Sequence, residues 1–170
     1  EAGKNGMCLP ILLNYSGAHT HRWSGGNKMN LQNLKRGGEL RRSILAPKGH
    51  VIVVADSAQI EARVLAWLAG QLDIVNAFAM KEDVYKLMAS AIYGVPVDQV
   101  TKDQRFIGKV CTLGLGFGLG HMKLQQTLKQ GTMGPPVDIS EEECRRIVQI
   151  YRQKNWKIKA FWKKMDQVIT

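Results

Sequence analysis

The sequence predicts an α+β chain: short strands and one helix first, then a mainly helical remainder. Three observations predict it. Residues 1–50 are rich in glycine, asparagine and basic residues and show little hydrophobic periodicity, which marks loop and short-strand material. Val51–Ala55 is a short apolar, β-branched run, and from Gln59 the pattern changes to a helical period. Beyond Gly70, helical periods with cap residues recur to the end of the chain.

Each element follows in order. VIVVA reads as a buried strand, and Ile60, Val64, Leu65, Trp67 and Leu68 cluster on one side of a helix that Gly70 can close. Helices are expected over Asp73–Met80 and over Asp83–Tyr93, the latter ending at Gly94-Val95-Pro96. Thr101 is a candidate N-cap, with Asp103 or Gln104 in the first turn, for a helix running into GLGFGLG. Four glycines in a helix interior cost about 1 kcal/mol each relative to alanine, so that helix either stops or bends there, or packs too tightly to admit side chains. Ser140 and Glu143 form a capping-box signal for a helix to about Gln153, and a last basic, aromatic helix holds Trp156, Phe161 and Trp162.

With 170 residues, 45% of them hydrophobic, the chain can bury a sizeable core, which excludes disordered and mini-protein classes. Lysine and arginine number 24 against 14 acids, a net charge of +10 that favours a polyanionic partner such as nucleic acid or nucleotide phosphate, or else a solvated basic surface. Cys8, Cys111 and Cys144 are odd in number and lack a C-x-x-C pair, which argues against a disulfide framework and a zinc ribbon and for a reducing compartment. No apolar run reaches the roughly 20 residues of a membrane span, and the first residues carry no signal-peptide pattern, so a soluble, cytoplasmic protein without a membrane partner is expected. The chain begins without a methionine and stops while a helical pattern is still running, and it reads as a fragment.

Asp56 ends the predicted strand, where a rigid support can hold a hard oxygen ligand for Mg²⁺. It, or Ser57, could equally cap the following helix. Glu61 lies near the start of that helix and reads as a first-turn carboxylate favoured by the helix dipole. Arg105, Lys109, Leu113 and Phe117 recur every four residues and form one slowly turning stripe of two cations, an apolar residue and a ring. That order suits a nucleotide, phosphates on the cations and base or sugar against the ring, and equally suits a solvated turn running into core. GLGFGLG has neither the register nor the strand context of a dinucleotide loop, so a Rossmann enzyme is excluded. His19 and His21 lack a third ligand and read as polar surface residues. Arg22, Gln32, Asn33 and Arg36 are donors of the kind that reach phosphates and minor-groove acceptors, as a polar loop would also supply.

Taken in order, three segments resemble family A DNA polymerases, especially phage-like members. HTHRWSGGNKMNLQNL is similar to the family's primer-contact segment, VVADSAQIEARVLAWLAG to its motif A (D-Y-S-Q-I-E-L-R), and RFIGKVCTLGLGFG to its motif B (R-x3-K-x6/7-Y-G), with Arg105, Lys109 and Gly118 in place. The resemblance is firm over residues 15–122. It implies a palm-subdomain fragment of short antiparallel strands plus a helix over residues 1–70, and a mainly helical fingers subdomain over 71–170. It further implies template-directed transfer of dNTPs to a primer 3′ end, with primer-template DNA, dNTPs and the rest of a polymerase chain as partners. Asp56 and the Ser57 carbonyl would bind two Mg²⁺ ions, and Glu61, beside Gln59, would exclude a 2′ hydroxyl. Arg105 and Lys109 would hold the triphosphate, with Lys109 also a catalytic proton donor. Leu113 and Phe117 would line the sugar and base pocket, Tyr85 would stand where many members carry a phosphate-contacting histidine, and Arg22 would meet the primer.

Beside Tyr85, three residues depart from the family pattern: Ser57 and Phe117 each replace a tyrosine, and Leu113 replaces an aromatic. Phe117 keeps the ring but loses any hydroxyl bond to Glu61. The family's His-Asp-Glu motif C, with its second metal-binding aspartate, is missing from these residues, so this piece is expected to be inactive alone. The rival from another class is a non-catalytic nucleic-acid-binding module that uses the basic helices only, and a His-Asp-Glu strand further along the gene would decide against it.

Overall fold

Local capping chemistry sets several of the helix ends. Asp83 accepts hydrogen bonds from the backbone N–H groups of Tyr85 (3.1 Å) and Lys86 (3.2 Å), which fixes where its helix begins. Thr101 and Gln104 form a complete capping box, and the Ser140 hydroxyl accepts from the Glu143 N–H at 3.1 Å. At the other ends, Gly70 and Gly94 take left-handed φ values of +65° and +66°, which glycine adopts without strain.

The computed structural model describes residues 11–19, 21–27, 30–35 and 37–169. The chain divides into two units, Glu1–Asp56 and Ser57–Thr170. In the first, β1 (Leu13–Asn14) pairs antiparallel with β2 (Ser24–Gly25), Leu13 opposite Gly25, and the rings of Tyr15 and Trp23 meet edge to face at 5.3 Å. A 3₁₀ turn over Leu31–Asn33, capped by the Asn30 side chain, and the single turn α1 (Glu39–Arg42) follow.

One expectation fails in this unit. Val51–Ala55 is neither a strand nor buried: it has no regular structure, and Val51 and Val53 are 83% and 85% exposed. A β-branched run becomes a strand only when another backbone accepts its ladder, and among the described residues the only sheet is the two-residue pairing of β1 with β2.

The second unit is all helix: α2 (Ile60–Leu68), α3 (Leu72–Ala79), α4 (Val84–Tyr93), α5 (Lys102–Gly116), α6 (His121–Lys129), α7 (Glu141–Lys154) and α8 (Trp156–Ile169). Its main core joins Met88 and Ile92 of α4, Val110, Cys111 and Leu115 of α5, Leu124 and Leu128 of α6, and Ile147 and Tyr151 of α7. Burying each large aliphatic here contributes roughly 1.5–3 kcal/mol. A second cluster, Ala77, Phe78 and Val84, packs with Ala62 of α2. Arg146 binds Glu143 through two nitrogens and donates to the Ile92 carbonyl at 3.1 Å, tying α7 to the end of α4.

Helix α5 does not stop at its first repeat glycine. It runs through Gly114 and Gly116 because these sites are crowded: a Cβ on Gly114 would sit 2.8 Å from Leu119, and one on Gly116 would sit 3.2 Å from Leu65. The chain then turns at Gly118 (φ +79°). Of the five residues expected to share the apolar side of α2, only Leu65 is half-buried while Ile60, Val64, Trp67 and Leu68 are exposed; the packed face is Ala62, Leu65 and the fully buried Ala66. No helix among the described residues is long and apolar enough to cross a membrane.

Candidate functional site

The turn before α2 does not use its carboxylate as a cap. Gln59 is the N-cap residue, in the left-handed region at φ +56°, and no side-chain cap bond is made. Asp56 and Ser57 are exposed, and the Ser57 carbonyl accepts from the Ile60 N–H at 3.3 Å. The strained turn is held instead by Arg63, whose Nε donates to the Ala58 carbonyl at 2.9 Å while its guanidinium lies over the Phe78 ring at 4.3 Å. Capping therefore does not account for Asp56, and Arg63 is a residue that motif reasoning passed over.

Within the second unit, α2 and α5 bring distant sequence positions together. Glu61, Ala62 and Leu65 of α2, with Thr112, Leu113, Gly116 and then Phe117 of the α5 end, line a pocket of about 80 Å³. Phe117 is 71% exposed, so its ring stands at the mouth, and the absent side chain of Gly116 is what lets Leu65 approach. Glu61 is half-buried, as a carboxylate at the wall of an otherwise apolar pocket would be.

The two cations of the stripe differ. Lys109 is half-buried, and no ion pair among the described residues includes it. Arg105 has a partner the sequence reading did not foresee: its Nε donates to Asp83 Oδ2 at 2.6 Å, and its guanidinium lies 5.3 Å from the Tyr85 ring centroid. Burial raises the Asp83 carboxyl pKa, but the Arg105 hydrogen bond, the Lys86 and Tyr85 N–H groups and the Arg105 charge outweigh it, leaving the carboxyl below its ordinary range. Tyr85 is only 7% exposed. Burial raises its hydroxyl pKa, against a hydrogen bond with the Gln59 side chain. Tyr85, Asp83 and Arg105 thus form one connected group.

In the first unit, Arg22, Gln32 and Asn33 line an open cleft of about 710 Å³ with Ala18, Trp23, Ser24 and Asn30. Arg36 lies outside the described residues. The Ser16 hydroxyl and His21 Nδ1 are 2.9 Å apart, and no group of three or more metal-ligating side chains occurs among the described residues. One carboxylate and one carbonyl, Asp56 and Ser57, are of the right chemistry for Mg²⁺ but too few to hold it, so they fit only as part of a larger ligand set.

The profile of DNA polymerase family A matches residues 12–170. The chain belongs to DNA polymerase family A. It is 38% identical over 119 residues to DNA polymerase I of Chloroflexus aurantiacus, covering 68% of this chain and 12% of that protein. To DNA polymerase I of Aquifex aeolicus it is 31% identical over 166 residues, covering 97% of this chain and 27% of the relative. A DNA polymerase of Bacillus phage SP02 is 29% identical over 89% of the chain. The chain resembles the POL domain of Pol1 from M. smegmatis, solved in complex with DNA primer-template and dNTP, with a TM-score of 0.74 and 28% identity over 95% of this chain and 28% of that one. This family A chain therefore spans about an eighth to a quarter of its relatives' length.

Proposed function

We propose that this family A chain is the palm-and-fingers portion of a DNA-directed DNA polymerase, which adds deoxynucleotides from dNTPs to a primer 3′ end as a template directs. The observation that carries the reading is the α2–α5 pocket: Glu61 of α2 shares one small cavity with Leu113 and Phe117 at the end of α5, the helix that bears Arg105 and Lys109 on its preceding turns. The carboxylate, apolar wall and exposed ring around this small pocket have the chemistry to meet the edge of a sugar and base, and the two cations have the charge to meet a triphosphate. The solved relative's complex with primer-template and dNTP supports the same partners for this chain.

Each residue then has a task. Glu61 walls the sugar side, where a 2′ hydroxyl would meet a half-buried carboxylate. Phe117 offers its exposed face to the nascent base pair, and Leu113 fills the apolar floor. Lys109 attracts phosphate and would give a proton to the departing pyrophosphate. Arg105 turns its remaining guanidinium donors to the same phosphates. Arg22, Gln32, Asn33 and Arg36 supply donors to the primer-template backbone and minor groove. Asp56 and the Ser57 carbonyl would hold Mg²⁺ together with a second carboxylate from elsewhere in the polymerase, and the metal bound there would supply activation of the 3′ hydroxyl and stabilisation of the leaving phosphates. The exposed stripe of Ile60, Val64, Trp67 and Leu68 is a surface that the rest of the polymerase covers.

The test is primer extension by the full-length protein with matched dNTP and rNTP. Glu61→Ala is expected to raise ribonucleotide incorporation by at least about tenfold relative to deoxynucleotide, the size of one lost steric or polar rejection. Unchanged sugar discrimination would remove Glu61 from the pocket's function.

A further inference from the structure

We propose that Asp83 is a positioning residue for nucleotide transfer: its carboxylate fixes the guanidinium of Arg105 in one orientation, so that the two Nη groups, and not Nε, face the triphosphate. The inference rests on Arg105 binding phosphate, as argued above.

Asp83 is used on both carboxylate oxygens. Oδ1 accepts the Tyr85 and Lys86 N–H groups and so is locked to the first turn of α4, while Oδ2 takes Arg105 Nε at 2.6 Å. The acceptor thus belongs to the helix frame and cannot follow a swinging arginine. The Tyr85 ring, itself buried, closes one face of the guanidinium. The frame is rigid because α4 and α5 meet at Gly108, where a Cβ would collide with the Tyr85 carbonyl and lie 3.0 Å from the Ala89 nitrogen. A guanidinium held at Nε and on one face keeps the fork of its two Nη nitrogens as its remaining donor edge, the edge suited to two phosphate oxygens.

Asp83 affects substrate in two opposing ways. Its negative charge weakens the attraction of Arg105 for a polyanion, and its grip spares Arg105 the loss of rotamer freedom on binding. The two oppose each other, so ground-state affinity is buffered against loss of the carboxylate. The rate of transfer is not, because developing charge on the leaving phosphates is stabilised only by donors already in place.

The experiment is single-turnover incorporation of a correct dNTP by the full-length polymerase carrying Asp83→Asn, Arg105→Ala or both. Asparagine caps helices as well as aspartate, so α4 keeps its start while Arg105 loses its anionic partner; Asp83→Ser, also a good cap, provides a second variant. Expected is a fall of about tenfold in maximal rate for Asp83→Asn, with dNTP affinity changed less than about threefold and a single cooperative melt that stays well above the assay temperature. Arg105→Ala is expected to lower the rate further, and the double variant to match Arg105→Ala alone. Additive losses in the double variant, or an undiminished rate in both Asp83 variants while Arg105→Ala is impaired, would overturn the positioning role and leave phosphate binding by Arg105 standing. An unimpaired Arg105→Ala would overturn that binding and the inference with it.

Discussion

Gly108→Ala puts the α4–α5 contact to a direct test. The added methyl would fall well inside contact distance of the Tyr85 carbonyl oxygen and 3.0 Å from the Ala89 nitrogen. Both are backbone atoms, so no rotamer change relieves the overlap and the helices must separate by about 1 Å. Overpacking of this kind costs about 1–3 kcal/mol, and a contact with backbone belongs at the upper end. Alanine's better helix propensity returns about 1 kcal/mol, leaving a net loss of about 2 kcal/mol. In the full-length protein, hydrogen exchange of α4 and α5 peptides should speed up by about 30-fold, since 1.36 kcal/mol is a factor of ten. The incorporation rate should fall too, because Asp83 and Arg105 sit on the helices being separated. If propensity were the only effect, exchange in these helices would slow by about fivefold; that result, or no change, would refute the close-contact account.

Other consequences can be measured with less machinery. Cys111 and Cys144 are fully buried, and burial pushes the Cys111 thiol up to about 12, so iodoacetamide should leave both unlabelled in peptide maps of native protein and label both after denaturation. Asp83 and Glu143 are held below the ordinary carboxylate range, Glu143 chiefly by its hydrogen bond with Arg146, so each stabilises the fold above its unfolded pKa near roughly 4 and loses that contribution as pH falls through the folded value. Melting temperature should therefore drop below about pH 4, and Asp83→Asn should flatten part of that drop.

Much of the helical unit was legible because its signals are local. Asp83, Thr101, Ser140 and Gly94 each act within a few residues of themselves, and helix ends followed from them. The stripe of Arg105, Lys109, Leu113 and Phe117 was legible for the same reason, since one helix carries its first three residues and ends at the fourth. Pairings across long stretches of chain were not. Val51–Ala55 has strand composition, yet a strand is made by its neighbour, and no local pattern says whether one is present. Asp83 with Arg105 joins residues 22 positions apart on different elements, so each looked ordinary where it stood. Gln71 is a similar case: it is buried, accepts the Lys157 N–H at 3.1 Å and so joins the start of α3 to the start of α8, with no mark in its own neighbourhood. Glycines were half legible, since the cost of Gly114 and Gly116 in a helix was plain and the close neighbours that require them were not.

The central claim, that DSAQIEAR carries part of the metal and sugar machinery of a polymerase, is tested most directly by Asp56→Asn in the full-length protein with Mg²⁺. The account predicts that single-turnover incorporation falls by at least about a thousandfold, as expected when a metal-ion catalyst loses a charged ligand, while primer-template affinity stays within about twofold. Incorporation near the wild-type rate, with DNA binding intact, would contradict it.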